Sequence, residues 1–401
     1  MNLLINKFVS FSLIQHIFNT IFFPYFIIIL MSQRLSLELW GELIFIQAIS
    51  ALFIIFINMG IEFHGTKEIA NMQSRNKDLI GKYNYLKLIN IIFLFSIIFL
   101  MSYLINFDSK LILLAVLLSA SIALSPSWIY LAEKNVLPII KIEIFFRTIF
   151  IIFLFIFLKD DSLGKFYIFF LAINNLLISI FGHLFLYKYY SYKALKKTNY
   201  LKGVKSIFGL FSFQLSGIST MMLPIIILGF SSDYKSVAIF GNADKLFKGL
   251  RGIFSPITRI AITIFSRFKK NKYTNIMNTM VLVFLGGTCI ISALILISDN
   301  LIVLLLGEKY YDSIGVFNIL IISIPFIWTY NLLIGAYYIP QKKESFITKL
   351  NIFLLIICSI VISYIVLNYN ILLLSFFIVF IEFVLFMFLV LKYFYRKKDA
   401  F

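Results

Sequence analysis

Five polar residues recur at alternating intervals of four and three positions within one largely apolar segment: Asp244, Lys248, Arg251, Ser255 and Thr258. In a helix, this spacing places their side chains on one face, and Lys245 and Arg259 flank that face. A helix rises 1.5 Å per residue, so the stretch from Asp244 to Arg259 covers about 22 Å. Because charged side chains are costly in lipid, the pattern predicts a water-lined surface with four cations and one carboxylate. Such a surface is suited to binding an anion.

Four other ionisable residues lie in apolar segments, and each is a candidate functional group. Glu143 and Arg147 are four positions apart, a spacing that suits either an ion pair or a shared cavity. Lys87 is expected either to extend its ammonium group towards the membrane surface or to add positive charge to the site. Glu382 is the one ionisable residue of its segment, so it must be neutral or face a cation. Asp244, Glu143 and Glu382 are therefore candidate sites for a coupling proton or sodium ion.

These residues stand out because the rest of the chain is so apolar. Of its 401 residues, 61% are hydrophobic and only 13% are charged, and the mean hydropathy is +0.97. A soluble domain carries about 25% charged residues, so this composition predicts an all-α integral membrane protein without a soluble domain. The two cysteines, Cys289 and Cys358, are isolated within apolar segments and indicate neither a disulfide nor a metal site.

A membrane span needs about 20 consecutive, mainly apolar residues. Twelve segments meet this requirement and leave only short connections between them. The predicted spans, in order, are Phe8–Met31, Leu39–Met59, Tyr83–Ile105, Leu111–Leu131, Val136–Leu158, Phe166–Tyr187, Ile207–Phe230, Val237–Phe265, Ile276–Ile297, Ile314–Ile339, Phe346–Leu367 and Ile371–Leu391.

The distribution of Lys and Arg predicts the orientation of these spans. If both termini are cytoplasmic, 24 of the 36 basic residues lie on the cytoplasmic side, six lie on the opposite side and six lie within spans. This bias follows the rule that cytoplasmic loops of membrane proteins are enriched in Lys and Arg. The net charge of +18 is thus explained by topology, and it does not indicate nucleic-acid binding.

A basic segment at residues 191–206 separates two candidate six-helix bundles, at residues 1–190 and 207–401. A shift of 200 positions aligns their first spans without gaps and gives eight identical pairs between positions 11 and 41. One of these pairs is Pro24 and Pro224, which are candidate hinges. Six spans per half would relate the bundles by an axis along the membrane normal, an arrangement found in secondary transporters.

Several short motifs occur in register with the twelve spans. Ser125–Lys134 (Ser-Pro-Ser-Trp-Ile-Tyr-Leu-Ala-Glu-Lys) resembles the Pro-x-Trp…Glu-Lys signature after the fourth span of bacterial O-antigen and polysaccharide flippases. Departures from the family pattern are Phe240 in place of Tyr and Ile129-Tyr130 in place of Leu-Phe. Further matches to this family are Ile239–Leu246 with Ser255-Pro256, Leu305–Tyr310, Trp40-Gly41, Asn58–Gly60 and Lys67–Ala70.

This family belongs to the multidrug, oligosaccharidyl-lipid and polysaccharide exporter superfamily. The resemblance implies two six-helix bundles around a central cavity, as in the multidrug and toxic-compound exporters. It implies a substrate of undecaprenyl pyrophosphate carrying an oligosaccharide repeat unit, which crosses the bacterial inner membrane by alternating access. It also implies association with a polysaccharide polymerase and chain-length machinery. The pyrophosphate would then be bound by basic residues of both halves: Lys245, Lys248, Arg251 and Arg259 from one, and Arg147 and Lys87 from the other.

No cofactor and no covalent chemistry are predicted, since the sequence has no phosphate-binding glycine loop, metal-ligand spacing or nucleophile constellation. Three alternatives stay open: a multidrug exporter, a peptidoglycan-precursor flippase and an O-antigen polymerase. An exporter of cationic drugs favours an acidic or aromatic cavity, the second would carry additional helices, and the third needs a large outer loop. The longest predicted outer segment runs only from Ser298 to Ser313. The flippase hypothesis requires that acidic neighbours do not neutralise Lys248 and Arg251.

Overall fold

The computed structural model is helical throughout the regular structure that it describes. Eight of its helices are long and apolar enough to cross a membrane, which makes this chain an all-α multi-pass membrane protein. The residues described are 11, 14–15, 17–71, 77–105, 109–190, 195–197, 211, 214–215, 222–231, 233–254, 272–339, 341, 343–368 and 370–398.

The eight membrane-crossing helices coincide with eight of the twelve predicted spans. They match the second, third, fourth, sixth and ninth to twelfth spans. The fifth and eighth spans also form helices, Leu137–Phe157 and Tyr234–Ile253, but these carry several charged residues. Half of the seventh span and part of the first lie outside the described residues. The total of twelve spans therefore stays a prediction.

The chain divides into two compact units. Unit 1 comprises Met1–Leu30 and Arg34–Ile226, and unit 2 comprises Met31–Gln33 and Ile227–Phe401. The helices of the first part of the chain are α1 (Phe23–Arg34), α2 (Leu37–Asn58), α3 (Ile61–Asn71), α4 (Lys77–Ile105), α5 (Ser109–Ala123), α6 (Ser127–Ala132), α7 (Leu137–Phe157), α8 (Asp161–Gly164) and α9 (Tyr167–Tyr190). Those of the second part are α10 (Tyr234–Ile253), α11 (Lys272–Leu306), α12 (Ser313–Ile321), α13 (Ile324–Leu333), α14 (Glu344–Asn368) and α15 (Ile371–Lys398).

In unit 1, α5 is the central helix and packs against α2, α4 and α9, while α9 also packs against α7. Large apolar side chains remain on the outer surface, including Phe93 (62% exposed) and Phe99 (70% exposed) on α4. Water would disfavour so large an apolar surface, whereas lipid solvates it. Polar side chains such as Lys87, Glu143 and Asn174 are instead buried inside the unit.

The fourth predicted span is interrupted within its length. The helix stops at Ala123 and resumes at Ser127, because Pro126 lacks the N–H that an unbroken helix would need. The break frees backbone carbonyl groups that must find partners inside the unit. Lys87 Nζ donates to the carbonyl oxygen of Ala123 at 2.6 Å. Ser179 Oγ (2.7 Å) and His183 Nε2 (3.1 Å) bond to that of Leu124.

A glycine on α9 lets this broken segment pack closely. A Cβ atom at Gly182 would lie 2.7 Å from Cγ of Pro126 and 3.2 Å from Cδ1 of Ile139. The carbonyl oxygen of Gly182 also accepts a 2.7 Å hydrogen bond from the hydroxyl of Tyr130. The proline ring is rigid and cannot turn aside, so a larger residue must move the backbone on one side.

We therefore expect Gly182→Ala to destabilise the protein by about 1–3 kcal/mol, the usual cost of overpacking. Gly286→Ala on α11 is the matched control, since a Cβ atom there meets nothing within 4 Å. Alanine is the better helix former by about 1 kcal/mol, so this control should be neutral or stabilising. Thermal unfolding of the purified protein in detergent measures both variants, and equal midpoints would contradict the prediction.

In unit 2, α10 packs against α12, α11 packs against α13, and α15 packs against both α12 and α13. The tenth predicted span bends at Ile322 and Ser323, between α12 and α13. Helix α11 continues to Leu306. The outer segment predicted from Ser298 is therefore helical over more than half its length, which corrects the sequence analysis and shortens the loop further.

Candidate functional site

Unit 1 contains a polar cavity of about 210 Å³ that includes several predicted site residues. Glu143, on α7, is 4% exposed, and three neutral groups donate hydrogen bonds to its carboxylate. Gln15 Nε2 (2.9 Å) and Asn19 Nδ2 (2.7 Å) donate to Oε2, and Ser127 Oγ (2.9 Å) donates to Oε1. These hydrogen bonds stabilise a carboxylate at this buried position.

The break at Pro126 places Ser127 in this cavity. Ser127 is the first residue of α6, and its hydroxyl donates to Glu143, sixteen residues further along the chain. The hydroxyls of Ser125 and Ser127 are also hydrogen-bonded to each other at 2.8 Å. Sequence reasoning noted the Ser-Pro-Ser-Trp motif but assigned Ser127 no role. The helix-breaking proline between two serines is the signal from which Ser127 could have been identified.

Arg147 lies one turn along α7 from Glu143 and lines the same cavity. Its guanidinium carbon is 4.3 Å from the ring centre of Phe23, a cation–π contact. Within the described part of the chain Arg147 forms no ion pair, and its buried Nε has no hydrogen-bond partner. Of the two arrangements that the i,i+4 spacing allowed, the structure shows the shared cavity.

In unit 2, helix α10 presents the cations that the sequence placed on one face. Asp244 and Lys248 form an ion pair at 2.5 Å, one turn apart. Asp244 is 6% exposed, and Lys245 is adjacent to it on the same helix. The pairing of Asp244 with Lys248 is a geometry that their spacing favours. Lys248 is thus held by a carboxylate of its own helix.

Arg251 faces Glu382 of α15 and Tyr330 of α13, which form a closed triad with it. Nη1 of Arg251 donates to Oε1 of Glu382 at 3.1 Å, and Nη2 donates to the hydroxyl of Tyr330 at 3.3 Å. That hydroxyl donates in turn to Oε2 of Glu382 at 2.7 Å. Glu382 therefore faces a cation, one of the two states expected for it. No pattern in the sequence pointed to Tyr330.

The described part of the α10 surface therefore has less positive charge than the sequence predicted. Counting Glu382, it combines three cations with two carboxylates, so one positive charge remains. The requirement that Lys248 and Arg251 have no neutralising acidic neighbours is not met in this conformation. This finding corrects the prediction of a strongly cationic face, and it makes Arg147 the predicted cation most available to an anion among the residues described.

Lys87 does not extend towards the membrane surface, which is a second correction. Its side chain is 1% exposed, and Nζ donates to Oε1 of Glu62 at 3.1 Å as well as to the Ala123 carbonyl. The ammonium group also lies 5.7 Å from the centre of the Trp128 ring. These contacts assign Lys87 to the support of the broken fourth span. Sequence reasoning missed Glu62, because its partner is 25 residues away.

The two candidate hinges are described in different detail. Before Pro24, residues Phe18–Phe22 form a π-helical turn, so the helix type changes next to the proline. Such turns are rare and are frequently found at functional sites. Pro224 lies in a helical stretch at 222–230, and half of its predicted span is outside the described residues. Ser255, Thr258 and Arg259 also lie outside them. Hinge motion at either proline stays a prediction.

The fold and the site define a multi-pass α-helical membrane protein that buries a polar cavity in unit 1 and ion-paired cations in unit 2. Among the residues described, no group of three or more His, Cys, Asp or Glu side chains is placed to hold a metal ion. Comparisons with protein-family models, curated proteins and solved structures find no match for this chain.

Proposed function

We propose that this chain is a flippase that moves an anionic, lipid-linked oligosaccharide across the bacterial inner membrane. Its substrate would be undecaprenyl pyrophosphate carrying an oligosaccharide repeat unit, as the resemblance in sequence implies. The proposal includes twelve spans in two six-helix bundles, cytoplasmic termini and alternating access. No covalent bond is made or broken in this process, so the protein acts as a transporter and not as an enzyme.

The buried guanidinium of Arg147 carries this proposal. An ionised group inside a membrane protein costs at least a few kcal/mol unless a partner or a water-filled cavity compensates it. Arg147 lines a polar cavity one turn from Glu143, forms no ion pair within 4 Å in the described part of the chain, and has a buried Nε without a hydrogen-bond partner there. A diphosphate would supply the missing partner, because a guanidinium binds phosphate oxygens with two parallel hydrogen bonds.

The ion pairs of unit 2 fit the proposal as a resting state. Removing one partner of a buried ion pair is strongly destabilising, so the paired cations of unit 2 would leave their carboxylates only when an anion takes the place of those carboxylates. Glu382 and Asp244 would neutralise Arg251 and Lys248 in that state, at the distances given above. A diphosphate headgroup would displace these carboxylates, and a displaced carboxylate would be free to take up a proton. Ion coupling through Glu382 or Asp244 is part of the proposal.

The proposal is tested by replacing Arg147 and measuring transport in proteoliposomes. The probe is lipid-linked oligosaccharide extracted from a strain in which the gene has been deleted. We expect Arg147→Ala to slow transport at least tenfold, since a hydrogen bond to a charged group contributes about 1.5–3 kcal/mol and about 1.4 kcal/mol corresponds to a factor of ten. Arg147→Lys, which retains the charge but not the planar fork, should give a smaller loss.

Lys141→Ala is the matched control for these variants. Lys141 is an exposed cation on the same helix, α7, so its removal changes the net charge equally and should leave the rate unchanged. Transport by Arg147→Ala at the rate of the unaltered protein would overturn the proposal. So would preferential transport of cationic drugs by the unaltered protein, which would indicate a multidrug exporter instead.

A further inference from the structure

The cavity beside Arg147 is lined by groups whose hydrogen-bonding capacity is only partly used. Around Glu143 lie the amides of Gln15, Asn19 and Asn175, together with serine hydroxyls. Its volume of about 210 Å³ is below the range of about 300–1,000 Å³ typical of pockets for drug-sized ligands. A ligand seated here would be one small polar group, about as large as a single sugar ring.

Both the acceptor and the donor capacity of this cavity are only partly used. Asn19 donates one of its two amide N–H groups to Glu143, and its Oδ1 is buried with no partner in the described part of the chain. Asn175 donates one amide N–H to the Leu171 carbonyl of its own helix, at 2.9 Å. Glu143 accepts three hydrogen bonds, whereas a carboxylate offers about four lone-pair sites. The complementary ligand must therefore bring donors for the free acceptors and acceptors for the remaining N–H groups.

Hydroxyl groups fit this site best, because each can both donate and accept a hydrogen bond. A metal cation would be attracted by the carboxylate of Glu143 but repelled by the guanidinium of Arg147, so the two charges together favour a neutral polar ligand. A polyhydroxylated ligand donates to carboxylate and amide oxygens without carrying a charge. Ile122 and Ile178, which also line the cavity, offer apolar surface to the C–H groups of such a ligand.

The distance along α7 relates this site to the proposed diphosphate contact. Glu143 and Arg147 are four residues apart on one helix, which corresponds to about 6 Å at 1.5 Å per residue. A sugar joined directly to a diphosphate has its hydroxyls and its phosphate oxygens separated by a similar length. One substrate could thus contact both side chains from the same cavity.

We infer that the unit 1 cavity is a sugar-binding subsite, in which Asn19, Glu143 and Asn175 accept hydrogen bonds from the sugar ring attached to the diphosphate. The inference rests on the proposed function and adds to it a means of selecting the substrate. Arg147 would hold any lipid diphosphate, whereas the three acceptors would distinguish a glycosylated lipid from a bare one.

The test compares two lipids in their binding to the purified protein, measured by native mass spectrometry. One is undecaprenyl pyrophosphate, and the other is the extracted lipid-linked oligosaccharide. We expect the unaltered protein to prefer the glycosylated lipid, and Asn19→Ala and Asn175→Ala each to reduce that preference about tenfold, the effect of losing about 1.4 kcal/mol of hydrogen bonding.

Asn175→Ala should retain the fold, because the one hydrogen bond of the Asn175 side chain within the described residues goes to its own helix. Asn368→Ala is its matched control: this exposed amide also donates to the carbonyl four residues earlier, at 2.9 Å. The control should retain the full preference for the glycosylated lipid. Thermal unfolding of each variant shows whether its fold is retained.

The outcomes separate this inference from the proposed function. If Arg147→Ala weakens binding of both lipids while Asn19→Ala and Asn175→Ala leave the preference intact, the sugar subsite is overturned and the proposed function stands. An unaltered protein that binds both lipids equally would also overturn the subsite. If Arg147→Ala weakens binding of neither lipid, the proposed function fails, and the inference fails with it.

Discussion

Arg251→Met should destabilise the protein by about 3 kcal/mol, because it leaves the carboxylate of Glu382 without its cation. Breaking one side of a buried ion pair typically costs about 3–5 kcal/mol. We expect the lower end of that range, since the side chain of Arg251 keeps 22% of its surface exposed and Tyr330 still donates to Glu382. Glu382→Met should cost a similar amount, since it leaves the guanidinium unpaired.

The double variant Arg251→Met/Glu382→Met completes a thermodynamic cycle. Replacing both partners of a buried pair by apolar residues is often neutral or stabilising, so it should be more stable than either single variant. Thermal unfolding in detergent measures all three proteins. Because the two residues are in contact, their effects should be non-additive by about 0.5–3 kcal/mol. Single variants as stable as the unaltered protein would contradict the prediction.

The same cycle separates a structural role of Arg251 from a role in transport. If the pair serves only to hold α10 against α15, the double variant should recover transport together with stability. If Arg251 contacts the diphosphate or Glu382 takes part in ion coupling, the double variant should be stable and still inactive. Tyr330→Phe is a useful companion, because it removes the bridging hydroxyl and leaves both charges in place. It should cost about 1 kcal/mol, the net contribution of a typical hydrogen bond.

The sequence predicted well those features that depend on local spacing. Hydropathy alone located the eight membrane-crossing helices, since a span must be long and apolar whatever it packs against. The pairing of Asp244 with Lys248 follows from helix geometry in the same way. The buried polar residues Glu143 and Arg147 stood out because ionisable groups are rare in apolar segments.

The features that the sequence did not predict depend on contacts between distant residues. Glu382 is 131 positions from Arg251, and nothing in the composition of either segment selects that partner. The expectation of a strongly cationic face was wrong for this reason, since it counted charges along one helix only. Likewise, a proline such as Pro126 interrupts a helix, but the side chains that bond to the freed carbonyl groups come from α4 and α9. Those partners become visible only when the helices are packed together.

Glu62→Ala should destabilise the protein by about 3–4 kcal/mol, and more than Lys87→Met does. The reason is an asymmetry in burial: the side chain of Lys87 is 1% exposed, whereas that of Glu62 is 36% exposed. Removing Glu62 leaves a buried ammonium group without its carboxylate partner, and leaving a buried charge unpaired is strongly destabilising. Removing Lys87 leaves a carboxylate that solvent can reach and costs mainly the hydrogen bond to the Ala123 carbonyl, about 1–3 kcal/mol.

Both changes bear on the cavity, because Lys87 holds the end of α5 immediately before the Ser-Pro-Ser segment that brings Ser127 to Glu143. Lys87→Met should therefore weaken binding of the glycosylated lipid more than its loss of stability alone explains. Thermal unfolding and native mass spectrometry measure the two effects, and Glu308→Ala, which removes an exposed carboxylate, is the control. If Lys87→Met destabilised the protein more than Glu62→Ala, the prediction would be wrong. The hydrogen bond from Lys87 to the Ala123 carbonyl, and not the ion pair with Glu62, would then be the main interaction of the buried ammonium group.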